Sequence, residues 1–171
     1  MPIFFRSKKN FFLNPGFSFD AKYFKTKNRS LSKMKMIEVC CAIIIKDAKI
    51  LAMRRSCGLH LAGFWEFPGG KIEAGETAEA CIIREIKEEL NAEISIIQRL
   101  QPVEYLYPEK WIKLIPFLCQ MPNEEITLTK HSEFRWMAEN EVFSINWAAA
   151  DLKILTKKSN YFNIIFSSLE G

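Results

Sequence analysis

The sequence contains no long apolar run. The longest, Val39–Ile45, stops far short of the roughly 20 residues that a bilayer-spanning helix needs, so no helical membrane span is expected. No secretory h-region is visible at the N-terminus, and the expected location is the cytoplasm. The chain also lacks a C-x-x-C pair and any Cys–His spacing typical of zinc. Its five cysteines (Cys40, Cys41, Cys57, Cys81 and Cys119) are odd in number. They read as small core hydrophobes in a reducing compartment rather than as a disulfide framework. Internal repeats are missing, and 171 residues suffice for one domain with a real core.

The body of the chain is also short of positive charge. The net charge of +4 is unevenly divided: nine of the 24 Lys and Arg lie in residues 1–35 against a single acid, Asp20. That segment carries +8 and the remainder −4, so a basic face for stable binding of long nucleic acid is not expected in the core. Residues 1–35 mix Phe, Lys, Asn and Ser without a period, and Pro15-Gly16 breaks any element. The favoured reading is a disordered extension before a domain of residues 36–171, with Met34 or Met36 as an alternative start. A transit peptide and a segment that binds anionic lipid or nucleic acid are the competing readings.

From Ile37 the pattern becomes regular. Ile37–Lys46 is apolar and β-branched and reads as a buried strand, followed by a turn at Asp47-Ala48 and a second strand, Lys49–Arg54. Phe64–Phe67 reads as a short strand ended by a tight loop at Pro68-Gly69-Gly70. Thr77–Leu90 reads as a helix with Thr77 as N-cap and Ile82, Ile86 and Leu90 as its apolar stripe. Two long strands, Ile94–Leu106 and Trp111–Gln120, join through Pro108, and Phe134–Met137 is a further short strand. Ala150–Lys158 and Tyr161–Leu169 have helical spacing. Strands mixed with helices point to an α/β or α+β sandwich.

The segment Gly70–Ala92 (GKIEAGETAEACIIREIKEELNA) carries the chemistry. On a helix Glu85, Glu88 and Glu89 lie at i, i+3 and i+4, within reach of one another. Three like charges there repel, and a divalent cation removes the conflict; hard oxygen donors suit Mg²⁺ or Mn²⁺. Arg84 can pair with Glu88 and fix its orientation, and Glu76 stands where the helix dipole favours a carboxylate. Alone, the R-E-I-K-E-E stretch would read as a solvated helix face. The glycine-rich lead before it, whose backbone can approach a ligand, argues against that.

This segment resembles the Nudix signature, G-x5-E-x7-R-E-U-x-E-E-x-G-U, with U a bulky aliphatic residue. Gly70, Glu76, Arg84, Glu85, Ile86, Glu88 and Glu89 match at the required spacing, while Asn91 and Ala92 depart from the last two positions. The change at Asn91 is mild because Asn tolerates the left-handed conformation of a helix end. Met36–Arg55 and Gly63–Glu73 (GFWEFPGGKIE) resemble MutT-type and CTP-pyrophosphohydrolase-type members, and the likeness spans most of residues 36–157. The resemblance implies an α/β/α sandwich around a mixed β-sheet and Mg²⁺-dependent hydrolysis of a nucleoside triphosphate to monophosphate and pyrophosphate. It also implies roles. Glu85, Glu88 and Glu89, with the Gly69 carbonyl, would bind the metal, and one of the glutamates would help to activate water. Arg84 would orient the glutamates, Arg55 and its neighbour Arg54 would contact the nucleotide, and Phe67 would line the base pocket. For both arginines the alternative is a surface charge. No nucleophilic Ser or Cys is required.

Lys130 stands where relatives of this type often carry an additional carboxylate ligand, and Glu133 is the nearest substitute. His131 reads as a loop residue. Ala149-Ala150-Asp151 matches a stretch that reads the base edge. Asp151 is expected either to read the base, by accepting from an exocyclic amine or donating when protonated, or to cap a helix. Oxidised guanine nucleotides such as 8-oxo-dGTP are the leading substrate and CTP-like nucleotides the second. Tyr105, Tyr107 and Trp111 are candidates for stacking on a base or for packing in the sheet. The competing classes are a Nudix enzyme for ADP-ribose or dinucleoside polyphosphates and a non-catalytic Nudix-like binding module. The complete set of glutamates argues against the last.

Overall fold

The computed structural model describes residues 34–122, 125–156 and 160–167. The chain divides into two units at Met34/Lys35, and every described residue except Met34 lies in the second. The expectation of a disordered extension over residues 1–35 therefore falls almost wholly outside the described residues.

The element order is β1 (Met36–Lys46), β2 (Lys49–Arg55), β3 (Trp65–Glu66), β4 (Gly69–Lys71), α1 (Ala78–Leu90), β5 (Ser95–Arg99), β6 (Val103–Leu106), β7 (Trp111–Gln120) and β8 (His131–Met137). A single 3-10 turn (Val142–Ser144) then leads to α2 (Ala149–Leu155) and α3 (Asn160–Ser167). The eight strands form one mixed sheet whose main path runs β3-β2-β1-β7-β5. Among the strand pairs of the described residues, β1–β7 is parallel and the others are antiparallel.

The apolar run of β1 reflects burial on both faces, as expected for a strand at the centre of a layered fold. Cys41, Ile43 and Ile45 point into the cluster that contains Ile154 and Leu155 of α2 and Phe162 and Ile165 of α3. Cys40, Ala42 and Ile44 point the other way, onto Cys81, Ile82, Ile86 and Leu90 of α1. Helices thus cover both faces of a mixed sheet, which is the expected α/β/α sandwich. Four of the five cysteines are buried in these clusters, but Cys57 is exposed, contrary to its reading as a core residue.

The Asp47-Ala48 turn holds both residues at positive φ (47° and 57°), the geometry a two-residue hairpin needs, here without glycine. The expected long strand Ile94–Leu106 is two strands, β5 and β6, laid along one edge of β7. Pro116 of β7 explains the break. Its carbonyl accepts from Leu100 N at 2.9 Å. The N–H and C=O of one strand residue point to the same side, so the donor that proline lacks faces the junction between β5 and β6. β8 starts at His131, three residues before the expected Phe134, and pairs with β2 across a bulge at Arg54/Arg55. The expected helix Ala150–Lys158 runs from Ala149 and ends at Leu155, where Thr156 turns extended (ψ 131°).

Candidate active site

Two elements form the acidic half of the site. Thr77 caps α1 by accepting from Ala80 N at 3.1 Å, and Asn91 ends it in the left-handed region (φ 51°) with its N–H on Lys87 O. The apolar stripe holds this helix against β1 and β4. Pro68-Gly69-Gly70 was expected to be a loop, but Gly69–Lys71 is a strand that pairs with Val39–Cys41 of β1. Both glycines are needed for space. A Cβ on Gly70 would lie 2.2 Å from the Glu85 carboxyl carbon, and one on Gly69 (φ +151°) 2.1 Å from Cys40 O.

Glu85 and Glu89 are buried beneath β4, while Glu88 is exposed, so the three do not share one environment. Glu89 Oε2 accepts from Gly69 N at 3.0 Å. Burial pushes its carboxyl up to about 7. Arg84 does pair with Glu88 (Nη1 to Oε1, 3.2 Å), but its closest bonds go to Glu76, from Nε at 2.8 Å and Nη2 at 2.9 Å. A further bond reaches Glu85 Oε1 at 2.9 Å. The guanidinium hydrogen bonds hold the Glu76 carboxyl down at about 2. Glu76 is therefore fixed by Arg84 rather than simply by the helix dipole.

Lys130 reaches the same cluster. Its Nζ lies 3.3 Å from Glu88 Oε2 and 3.6 Å from Glu85 Oε2. The preceding loop places it by satisfying the open carbonyls at the end of α1. Thr127 N donates to Leu90 O (2.9 Å), Thr129 N to Glu89 O (3.1 Å) and Thr129 Oγ1 to Glu88 O (2.7 Å). Glu133, the nearest substitute for that carboxylate, is a part-exposed residue of β8 engaged by Arg135 (2.7 Å) and Arg54 (3.3 Å).

The donor set fits a divalent cation: three carboxylates, two of them buried, already draw an ammonium between two of their number. Among the described residues no three such groups converge on one point as they stand. Glu85 and Glu88 are held by Arg84 and Lys130, and Glu89 by Gly69, so side-chain rotation must accompany ion binding.

A cleft of about 350 Å³ adjoins the cluster, with Gly69 and Gly70 in its wall. It brings together Arg55, Phe67 and Asp151 of the expected nucleotide residues, with Tyr107. Arg54, Tyr105 and Trp111 do not line it. The β3 backbone holds the cleft's floor: Trp65 N donates to Asn146 O (2.9 Å) and Ala148 N to Trp65 O (2.7 Å), which docks the start of α2 beside Phe67. Phe67 packs on Trp147 with centroids 4.9 Å apart.

Asp151 lies in the first turn of α2, whose N-cap is Ala148, so the capping role expected as an alternative is not seen. Its Oδ1 accepts from Phe67 N at 3.0 Å. Burial, then the neighbouring Glu66 charge, push its carboxyl up to about 8. Tyr107 Oη accepts from Ala150 N at 3.2 Å. Sequence reasoning missed Glu66. It accepts from Arg55 Nη1 at 2.6 Å and meets His131 Nε2 at 2.9 Å. His131 is accordingly a buried strand residue with its Nδ1 unpartnered, not a loop residue. The signal for Glu66 was present as a carboxylate two residues from Phe64 in a strand with apolar neighbours, but alternation alone did not mark it.

The likeness to known proteins agrees with this geometry. The NUDIX domain family matches residues 34–158. A CTP pyrophosphohydrolase of Escherichia coli (strain K12) is 34% identical over 122 residues, 71% of this chain and 90% of that protein. An 8-oxo-dGTP diphosphatase of Proteus vulgaris is 33% identical over 60% of this chain and 91% of its own length. Among solved structures, a MutT protein of methicillin-resistant Staphylococcus aureus 252 superposes with a TM-score of 0.61 at 36% identity, covering 79% of this chain and 98% of that one. A glutamate-bearing helix under a glycine strand, set beside a cleft in an α/β/α sandwich, and a family match over most of the chain lead to one assignment: this protein belongs to the Nudix family and is a pyrophosphohydrolase.

Proposed function

We propose that the protein hydrolyses a nucleoside triphosphate to monophosphate and pyrophosphate in a Mg²⁺-dependent reaction, with an oxidised guanine nucleotide such as 8-oxo-dGTP as the preferred substrate. One observation carries this reading: the cleft that holds Asp151 and Phe67 shares its Gly69–Gly70 wall with the glutamate cluster. A base bound in the cleft would extend its phosphates over the carboxylates.

Glu85, Glu88 and Glu89 would hold the ion, with the Gly69 carbonyl as a further donor. The chemistry a divalent ion supplies there is neutralisation of the phosphate oxygens and acidification of water. Water adds across the α–β anhydride bond, which breaks to give the two products and a proton. Arg84 keeps Glu85 and Glu88 oriented. In the cleft, Phe67 supplies an apolar face. A carboxyl pushed up to about 8 carries its proton at neutral pH, so Asp151 offers a donor and an acceptor to a base edge. Arg55, which lines the cleft, would contact the nucleotide, and the exposed Arg54 is the weaker candidate because it does not line the cleft.

The second reading is a CTP-like substrate, supported by the relative of that name and by a cytosine edge, which also pairs with a protonated carboxyl. Pyrophosphate release from 8-oxo-dGTP, dGTP, CTP and ADP-ribose, with Mg²⁺ and with EDTA, tests both. The expected result is Mg²⁺-dependent turnover with the highest kcat/KM for 8-oxo-dGTP. A preference for CTP would select the second reading. Turnover unaffected by EDTA would defeat the metal-dependent mechanism, and preference for ADP-ribose the triphosphate reading.

A further inference from the structure

Arg84 and Lys130 divide the oxygens of one carboxylate pair between them. Arg84 Nη1 bonds Oε1 of both Glu85 (2.9 Å) and Glu88 (3.2 Å). Lys130 Nζ takes Oε2 of both, at 3.6 and 3.3 Å. The two cations differ in how firmly they are held. Two further bonds anchor Arg84 to Glu76. The Lys130 ammonium has no anchor beyond the glutamates among the contacts described, and its side chain is about half exposed (49%). Its backbone, by contrast, is fixed. The Thr127–Thr129 loop docks on the carbonyls ending α1, and Ser56 Oγ donates to Lys130 O at 2.8 Å. The side chain can therefore swing into water while its Cα stays at the cluster, which would vacate both Oε2 oxygens at once.

We propose that Lys130 is a built-in counter-cation of the metal site: it occupies the Glu85–Glu88 pair in the ion-free protein and competes with the divalent ion for those oxygens. The inference rests on the metal-dependent reading of the function. It implies a cluster that stays ordered without metal and binds metal more weakly than its three carboxylates would alone.

Titration with Mn²⁺ alone, without nucleotide, followed by the loss of free-ion EPR signal, tests it on wild type, Lys130→Met, Lys130→Arg and Lys113→Met. Removing the two Lys130 ion pairs should tighten Mn²⁺ binding by about tenfold in Lys130→Met. Lys130→Arg should stay near wild type. Lys113, which pairs with Glu38 on the exposed ends of β7 and β1, is the control and should change nothing. In EDTA, Lys130→Met should melt below wild type, and saturating Mn²⁺ should erase or invert that difference. A purely structural lysine would give the same deficit in both conditions. Equal Mn²⁺ affinity in folded wild type and Lys130→Met overturns the inference while leaving the function standing. Absence of Mn²⁺ binding in all four proteins overturns the metal-dependent function and the inference with it.

Discussion

At the scale of single residues, Arg84 organises the acidic site. One guanidinium meets Glu76, Glu85 and Glu88, and its planar fork suits that task in a way an ammonium would not. Glu85→Gln or Glu88→Gln should lower kcat by at least ~10²-fold while leaving the fold intact, because ligand charge is lost but the helix stripe is untouched. Unchanged turnover in a folded double variant would remove the glutamates from the mechanism. In the cleft, Asp151 is not the N-cap of its helix and accepts from Phe67 N, and the proposed base-reading role is tested by substitution. Asp151→Ala should cost on the order of 1–3 kcal/mol in kcat/KM for the preferred nucleotide, the range for a lost buried hydrogen bond. It should cost less for poor substrates, flattening the preference. Kinetics on 8-oxo-dGTP, dGTP and CTP measure this, and an intact preference ratio would rule the role out.

At the scale of elements, α1 and β4 act together, and two adjacent glycines separate stability from catalysis. The Cβ of Gly70→Ala would meet the end of a flexible side chain, the Glu85 carboxyl, which can turn aside. That variant should stay folded and lose most of its activity. The Cβ of Gly69→Ala would meet the Cys40 carbonyl of β1, so the β1–β4 ladder must shift. Its cost should reach about 3 kcal/mol of stability, the upper range for overpacking. Melting curves and turnover on both variants check the split; equal melting midpoints would contradict it. These elements also show what a sequence can carry. Helix α1 was legible from Thr77 to Asn91 because its stripe, N-cap and left-handed end are all local signals. The β5/β6 break was not, because its cause, the missing N–H of Pro116, sits on the partner strand. Gly69-Gly70 read as a turn because glycine marks both turns and close approaches, and only the fold reveals which. The glutamates of the cluster were legible from helical spacing, whereas Glu66 and Lys130 gain their meaning from contacts 65 and 42 residues away in sequence.

At the scale of the whole molecule, the site imposes a pH dependence on folding. Carboxyls held low, such as Glu76 at about 2, add stability above their usual 4.5 that is lost as pH falls toward 2. Carboxyls held high act in the opposite sense. Asp151, raised from 3.8 to about 8, and Glu89, raised from 4.5 to about 7, bind protons more tightly folded than unfolded. Their contribution is complete below about pH 4 and declines as pH rises through 7 and 8, because ionising either group buries a charge. In EDTA the melting midpoint should therefore peak in the mildly acidic range and fall between pH 5 and about 8, the window those two shifts define. Asp151→Asn keeps an oxygen for Phe67 N and removes the titration, so its curve should fall less steeply over that window. A divalent ion favours ionised Glu89, and excess Mg²⁺ should flatten part of the remaining slope. Melting curves from pH 4 to 9 for both proteins, with EDTA and with Mg²⁺, separate the two contributions. Parallel wild-type and Asp151→Asn curves would mean that Asp151 is ionised in the folded protein, and its proton could then take no part in reading the base.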